Sequence, residues 1–189
     1  MRNLLLRSTF ALAAGAFVLA GCSSQQSGTA SPAGTASGGP SSPPASASGL
    51  PGGGTASLDP CTLVSGSDLS TYGTFDGPTK QDVGAGARDC QLVRQRANAS
   101  DDTLTVDITV RDNAGLDALP DNGGGKKPGT MTSGRKAIQA PQPPEGCVLA
   151  LAVGTGSRVD VSIVSADSAK ACDIASKVAD VVEPKLPKA

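Results

Sequence analysis

The chain contains no histidine and no tryptophan, and its 189 residues include only one tyrosine and three phenylalanines. Without imidazole, neither a histidine-dependent zinc or haem site nor a Ser-His or Cys-His nucleophile can be assembled. Phe10 and Phe17 lie in an apolar N-terminal stretch, which leaves Tyr72 and Phe75 as the aromatics of any folded body. That is too few for the stacking platform that single-stranded nucleic acids use. Charge is also scarce and balanced: 16 basic residues against 17 acidic ones give a formal net charge of −1. A basic footprint is missing, so nucleic acid is not an expected partner.

What is present begins with a leader. The apolar stretch over residues 4–20 is broken by Arg7 and Ser8. Its uninterrupted part, residues 9–20, would make roughly 18 Å of helix, short of a ~30 Å bilayer core. Such a segment is an export signal, not a membrane span. It ends in Leu19-Ala20-Gly21-Cys22, which resembles the lipobox of bacterial lipoproteins. The resemblance implies removal of residues 1–21 and acylation of Cys22, palmitate included. Two acyl chains anchor a protein stably where one does so only marginally. The expected location is therefore the extracytoplasmic face of the cell membrane, held by lipid.

Residues 23–57 hold 13 Ser or Thr, 8 Gly, 6 Ala and 5 Pro, with Leu50 as their one large apolar residue and no charge. Too little apolar area is available there to offset the entropy of ordering. A coil of that length spans roughly 30 to 35 Å root-mean-square. The expected organisation is a leader over 1–21, a lipidated cysteine and linker over 22–57, and a single domain over 58–189.

Four cysteines remain in the domain: Cys61, Cys90, Cys147 and Cys172. An even number in an exported domain indicates two disulfides, with three possible pairings. The segments 147–153 and 158–164, separated by Gly154 and Gly156, suggest a hairpin. In it Cys147 would lie opposite Val164, within reach of Cys172, which favours Cys147 with Cys172 and Cys61 with Cys90. None of the four stands in C-x-x-C spacing, so no metal site is expected.

Asp59-Pro60 and the run from Ser65 to Asp68 carry helix-start signals, which predict a short, broken N-terminal helix. Residues 88–97 suggest a strand, and residues 104–110 alternate Leu104, Val106, Ile108 and Val110 with polar side chains, a strand with one buried face. The Gly-rich residues 120–134 suggest a mobile surface loop, followed by a strand over 134–138. Ala171, Ile174, Ala175, Val178, Val181 and Val182 form a helical stripe, with Asp167 to cap it and Pro184 to end it. Together these predict an α+β domain: an antiparallel sheet of four to five strands, a short N-terminal helix, a C-terminal helix, and disulfide staples.

Asp59-Pro60-Cys61 with Leu63, Asp68-Leu69, Cys90, Cys147 at the start of a strand, Cys172 with Ala175, Val178-Ala179, and Glu183-Pro184-Lys185-Leu186-Pro187 together resemble a domain-of-unknown-function family of actinobacterial cell-envelope lipoproteins. Members often carry Trp two residues after the second cysteine, where this chain has Leu92. The resemblance implies a scaffold and an address, and no catalytic residue.

The motifs that suggest chemistry fail on inspection. Ser133-Gly134-Arg135-Lys136 has the S-x-x-K spacing of penicillin-interacting enzymes, but its companion motifs are absent. Gly123 to Thr130 lacks the first glycine of a phosphate loop, since Pro120 stands in its place. Lys126, Lys127, Arg135 and Lys136 suggest a solvated basic cluster. Asp68, Asp107 and Glu145 are available as acids, without sugar-stacking aromatics beside them. The expected function is a non-enzymatic binding module for a protein or small-molecule ligand, without cofactor. Its alternatives are an accessory enzyme built on carboxylates and Lys, or a carrier of an apolar ligand.

Overall fold

In the computed structural model, which describes residues 54–188, the alternating segment forms β3 (Thr105–Arg111). Val106, Ile108 and Val110 are fully buried on one face of it. The leader, Cys22 and the linker up to residue 53 lie outside the described residues. β3 pairs antiparallel with β2 (Ala87–Val93) on one side and with β7 (Ser157–Val164) on the other. Beyond β2 lies β1 (Thr79–Gln81). Beyond β7 come β6 (Gly146–Val153), β5 (Lys136–Gln142) and β4 (Lys127–Thr130), giving one antiparallel sheet in the order β1-β2-β3-β7-β6-β5-β4. Two meanders thus meet at β3 and β7, and residues 112–126 carry the chain from the middle of the sheet to its far edge.

The sheet has seven strands, not four to five. The two additional strands are its edges, β1 and β4, and every residue in both is exposed. An edge with no buried face needs no apolar alternation, so neither strand shows a period-two pattern. β4 also corrects the mobile loop expected over 120–134. Its Pro128 removes a donor at the edge, a substitution tolerated only there. Three residues at one edge, and Lys127 and Pro128 at the other, blunt the sheet against further pairing.

The hairpin of β6 and β7 sets Cys147 opposite Ile163, one position from the expected Val164, which faces Gly146. Chain reversal then leads into α1 (Ser168–Val182), the one α-helix among the described residues, whose N-cap Asp167 carboxylate accepts from the Lys170 amide at 2.8 Å. Ala171, Ile174, Ala175, Val178, Ala179 and Val182 pack onto β5, β6 and β7, while Val181 stays partly exposed. At Glu183 the helix passes into a 3-10 turn, Glu183–Lys185, that accommodates Pro184.

The predicted N-terminal helix is instead two 3-10 turns, Pro60–Thr62 and Ser70–Tyr72. Local bonds compete with a longer helix here: Asp59 accepts from the Cys61 amide, and Asp68 accepts from both the amide and the hydroxyl of Ser65. Leu63, Val64, Leu69 and Phe75 from this segment join the side chains of α1 in one core on the same face of the sheet. Leu92 fills its place in that core as a fully buried residue.

The folded body also reaches further toward the N-terminus than residue 58. Thr55 is fully buried, and Arg88 donates to the carbonyls of Thr55, at 2.8 Å, and Leu58. Asp112 holds the same guanidinium at 2.7 Å.

Candidate functional site

Side chains alternate across a strand, so the residues between the core positions of β2, β3 and β7 all point to the other face of the sheet. Over β5 and β6 that face is apolar. Ala140, Val148 and Ala150, with Ile138, meet Leu116 and Leu119 of the crossover. Arg158 fixes the crossover by donating to the carbonyls of Ala114 and Gly115 at 3.1 and 2.7 Å. The same arginine and Arg111 take opposite oxygens of Asp160, at 2.7 and 2.8 Å.

Over β2, β3 and the adjoining part of β7 the face is polar. In register, Asp89 faces Thr109, Gln91 faces Asp107, and Asp107 faces Ser162. These side chains, with Gln81, Asp82 and Val83 from β1 and its turn, line a depression of about 390 Å³. Thr109 donates to Asp89 at 2.5 Å, and Gln91 donates to Asp107 at 2.9 Å. Burial pushes both carboxyls above the usual carboxylate range, and the charge of Asp89 pushes Asp107 further. Val164 follows Ser162 by two residues on the same face. Val164 and Val83 are the exposed large hydrophobic residues of the described chain, at 39% and 48% exposure. They flank the carboxylates, and the cation that acts on Asp89, Arg111, is itself bonded to Asp160.

Of the acids singled out in the sequence, Asp107 lies in this depression. Asp68 does not: hydrogen bonds from Ser65 hold its carboxyl below the usual range, and Lys185 stands 3.5 Å away. Glu145 uses its carbonyl to accept from the Ser165 amide in the turn after β7. Asp89 carries no motif that singles it out in the sequence, and its one signal is the alternation of Asp89 and Gln91 with Cys90 and Leu92 along β2.

The expected basic cluster is dispersed. Arg135 is buried, donating to the carbonyls of Ala152 and Pro187 at 2.5 and 2.7 Å, with its Nε 3.6 Å from Glu183. Lys126 donates to the carbonyl of Leu119, and Lys127 and Lys136 stand exposed on β4 and β5. Ser133 donates to Glu183 from the turn between β4 and β5, a structural bond at the C-terminal end of the helix.

Disulfides join Cys61 to Cys90 and Cys147 to Cys172. The first pins the N-terminal turns to β2; the second pins α1 to β6. Among the described residues, no three Cys, Asp or Glu side chains are grouped to hold a metal ion, and no helix is long and apolar enough to cross a membrane.

No curated protein and no solved structure matches the chain. The family model described as Protein of unknown function (DUF3558) matches residues 17–185, through both disulfides and the C-terminal helix, and the chain belongs to that family.

Proposed function

We propose that this protein is a binding module of the actinobacterial cell envelope, lipid-anchored through Cys22 on the extracytoplasmic face of the cell membrane. It presents the open half of its sheet face to a protein or small-molecule ligand. Leu19-Ala20-Gly21-Cys22 supports the anchor, and the uncharged linker supports a domain held clear of the lipid surface. The observation that carries the binding role is the polar half-face, uncovered among the described residues, where Asp89 is buried and Asp107 half-buried while Val83 and Val164 are exposed. Between the sheet and α1 the core side chains are packed at 0 to 8% exposure, which favours binding at this surface over carriage of an apolar ligand inside.

A second role draws support from the same carboxyls. An acid held above its ordinary pKa is what general acid catalysis at neutral pH requires, and Asp89 and Asp107 are both displaced in that direction. An envelope enzyme of this kind would lose turnover in Asp107→Asn.

The test is capture of membrane components on the full chain, with mass spectrometry of co-eluting proteins and small molecules. A species held by the native protein and released by Asp107→Asn is the expected result. Identical capture by both proteins would overturn the assignment of the face.

A further inference from the structure

We infer that the open half-face is a docking surface for a basic, extended polypeptide segment, one that alternates Lys or Arg with small apolar residues. The inference rests on the binding role proposed above and adds the chemistry of the partner.

Size comes first. From the row of Asp89 to the row of Val93 is four residues, about 13 Å, and from β1 to β7 is three strand spacings, about 14 Å. A diagonal across that rectangle accommodates about five or six extended residues. The crossover does not reach this area. Its Leu116 and Leu119 sit over β5 and β6.

Charge decides the class of occupant. Asp82, Asp89 and Asp107 face the depression, and the cations nearest in register, Arg111 and Arg158, are committed to Asp160. Two copies of this chain meeting face to face would oppose carboxylate to carboxylate, which disfavours self-association through this surface. A cationic segment supplies countercharge to exposed Asp82 and half-buried Asp107 and adds to that of Arg111 at buried Asp89. Val83 and Val164, at opposite ends, require apolar side chains as well as charge. A polyamine supplies only charge. Gln81, Gln91 and Ser162 offer hydrogen-bonding groups between the two ends. The contact falls well below the ~800 Å² per partner of a standard interface, so the complex is weak and exchanges rapidly.

The experiment uses the full chain in non-ionic detergent and fluorescence anisotropy of a labelled six-residue peptide alternating valine and lysine. Its glutamate counterpart and spermine serve as comparisons. The lysine peptide binds and the glutamate peptide does not. Asp107→Asn weakens binding by about fivefold or more, because a half-buried carboxylate–cation pair is lost. The amide keeps an acceptor for Gln91, so thermal unfolding checks that the fold is retained. Val83→Ser, at an exposed turn, weakens binding about two- to threefold through lost apolar contact. Equal binding of the glutamate peptide, or unchanged affinity in both variants, overturns the inference. Competition by spermine at the peptide's own concentration overturns it as well and reassigns the face to a polyamine. Failure of the lysine peptide to bind at about 1 mM overturns the partner chemistry alone. Asp107-dependent capture from membranes would still support the binding role.

Discussion

The Thr109 hydroxyl donates to Asp89 Oδ1 across the β2–β3 ladder at 2.5 Å, with both residues almost wholly withdrawn from solvent. The bond lowers the pKa of Asp89, yet burial outweighs it and the carboxyl titrates above its ordinary value. Burial also raises Asp107, helped by the charge of Asp89. For both, protonation favours the folded state: the stability they contribute is full below the unfolded value of 3.8 and is lost as pH rises through their higher folded values. Asp59 and Asp68 act oppositely. Hydrogen bonds from Lys80 and Ser65 lower their pKa values, so their stabilisation holds above 3.8 and is lost as pH falls through the folded values. From these four groups stability should therefore peak near pH 3.8, inside the ordinary carboxylate range, and decline on either side. Asp89→Asn with Asp107→Asn should raise the unfolding temperature at neutral pH and flatten the gain on acidification. Calorimetry between about pH 3 and pH 8 checks this, and an unaltered profile in the double variant would refute the assignment.

Two glycines separate sterics from backbone freedom. A Cβ on Gly124 would stand 2.7 Å from Pro141 Cβ and closer still to its carbonyl oxygen, whereas a Cβ on Gly129 meets nothing within 4 Å. Gly124→Ala should cost about 1 to 3 kcal/mol by overpacking the crossover against β5. Gly129→Ala should stay within about 0.5 kcal/mol of the native protein. Urea denaturation of the pair measures the difference.

Arg135 and Glu183 tie the start of β5 to the end of α1, and both are buried. Removing the cation in Arg135→Ala leaves Glu183 with the Ser133 hydroxyl and strips partners from the carbonyls of Ala152 and Pro187. The expected cost is about 3 to 5 kcal/mol. Glu183→Gln in the same chain should return part of it, a coupling that a double-mutant cycle reads directly.

Each disulfide closes a loop of ordinary length, with sequence separations of 29 for Cys61–Cys90 and 25 for Cys147–Cys172. By loop entropy each contributes about 3.5 kcal/mol. Paired serine replacement at Cys147 and Cys172 should remove that amount with little change in the native circular dichroism, since α1 keeps its apolar stripe. Peptide mapping without reductant checks the connectivity.

Cys22→Ser should abolish acylation and shift the protein from the membrane fraction to an unprocessed or shed form. Fractionation with metabolic lipid labelling is the measurement. A mutant distributed like the native protein would refute the anchor.

Elements with one buried face were legible in the sequence, because burial imposes a period. Val106, Ile108 and Val110 mark β3, Val159, Val161 and Ile163 mark β7, and Ala171 to Val182 mark α1. β1 and β4 had no such signature, since an exposed edge strand is held by backbone bonds that any side chain permits. The candidate face was half legible. The polar alternation of Asp107 and Thr109 showed which way those side chains point. Nothing local showed that residues 112–126 would cover β5 and β6 and leave β2 and β3 open, for that depends on a crossover between distant strands. Arg135 illustrates the same limit: beside Lys136 it reads as a surface cation, and only the return of residues 183–187 buries it.

The clasp of Arg88 on Thr55 and Leu58 gives the domain a defined mechanical handle. A pull applied at Gly54 is resisted first by those two carbonyl contacts and then, a few residues on, by the covalent bridge from Cys61 to Cys90. The load passes into β2, an inner strand, so the first few residues peel away while the sheet stays whole.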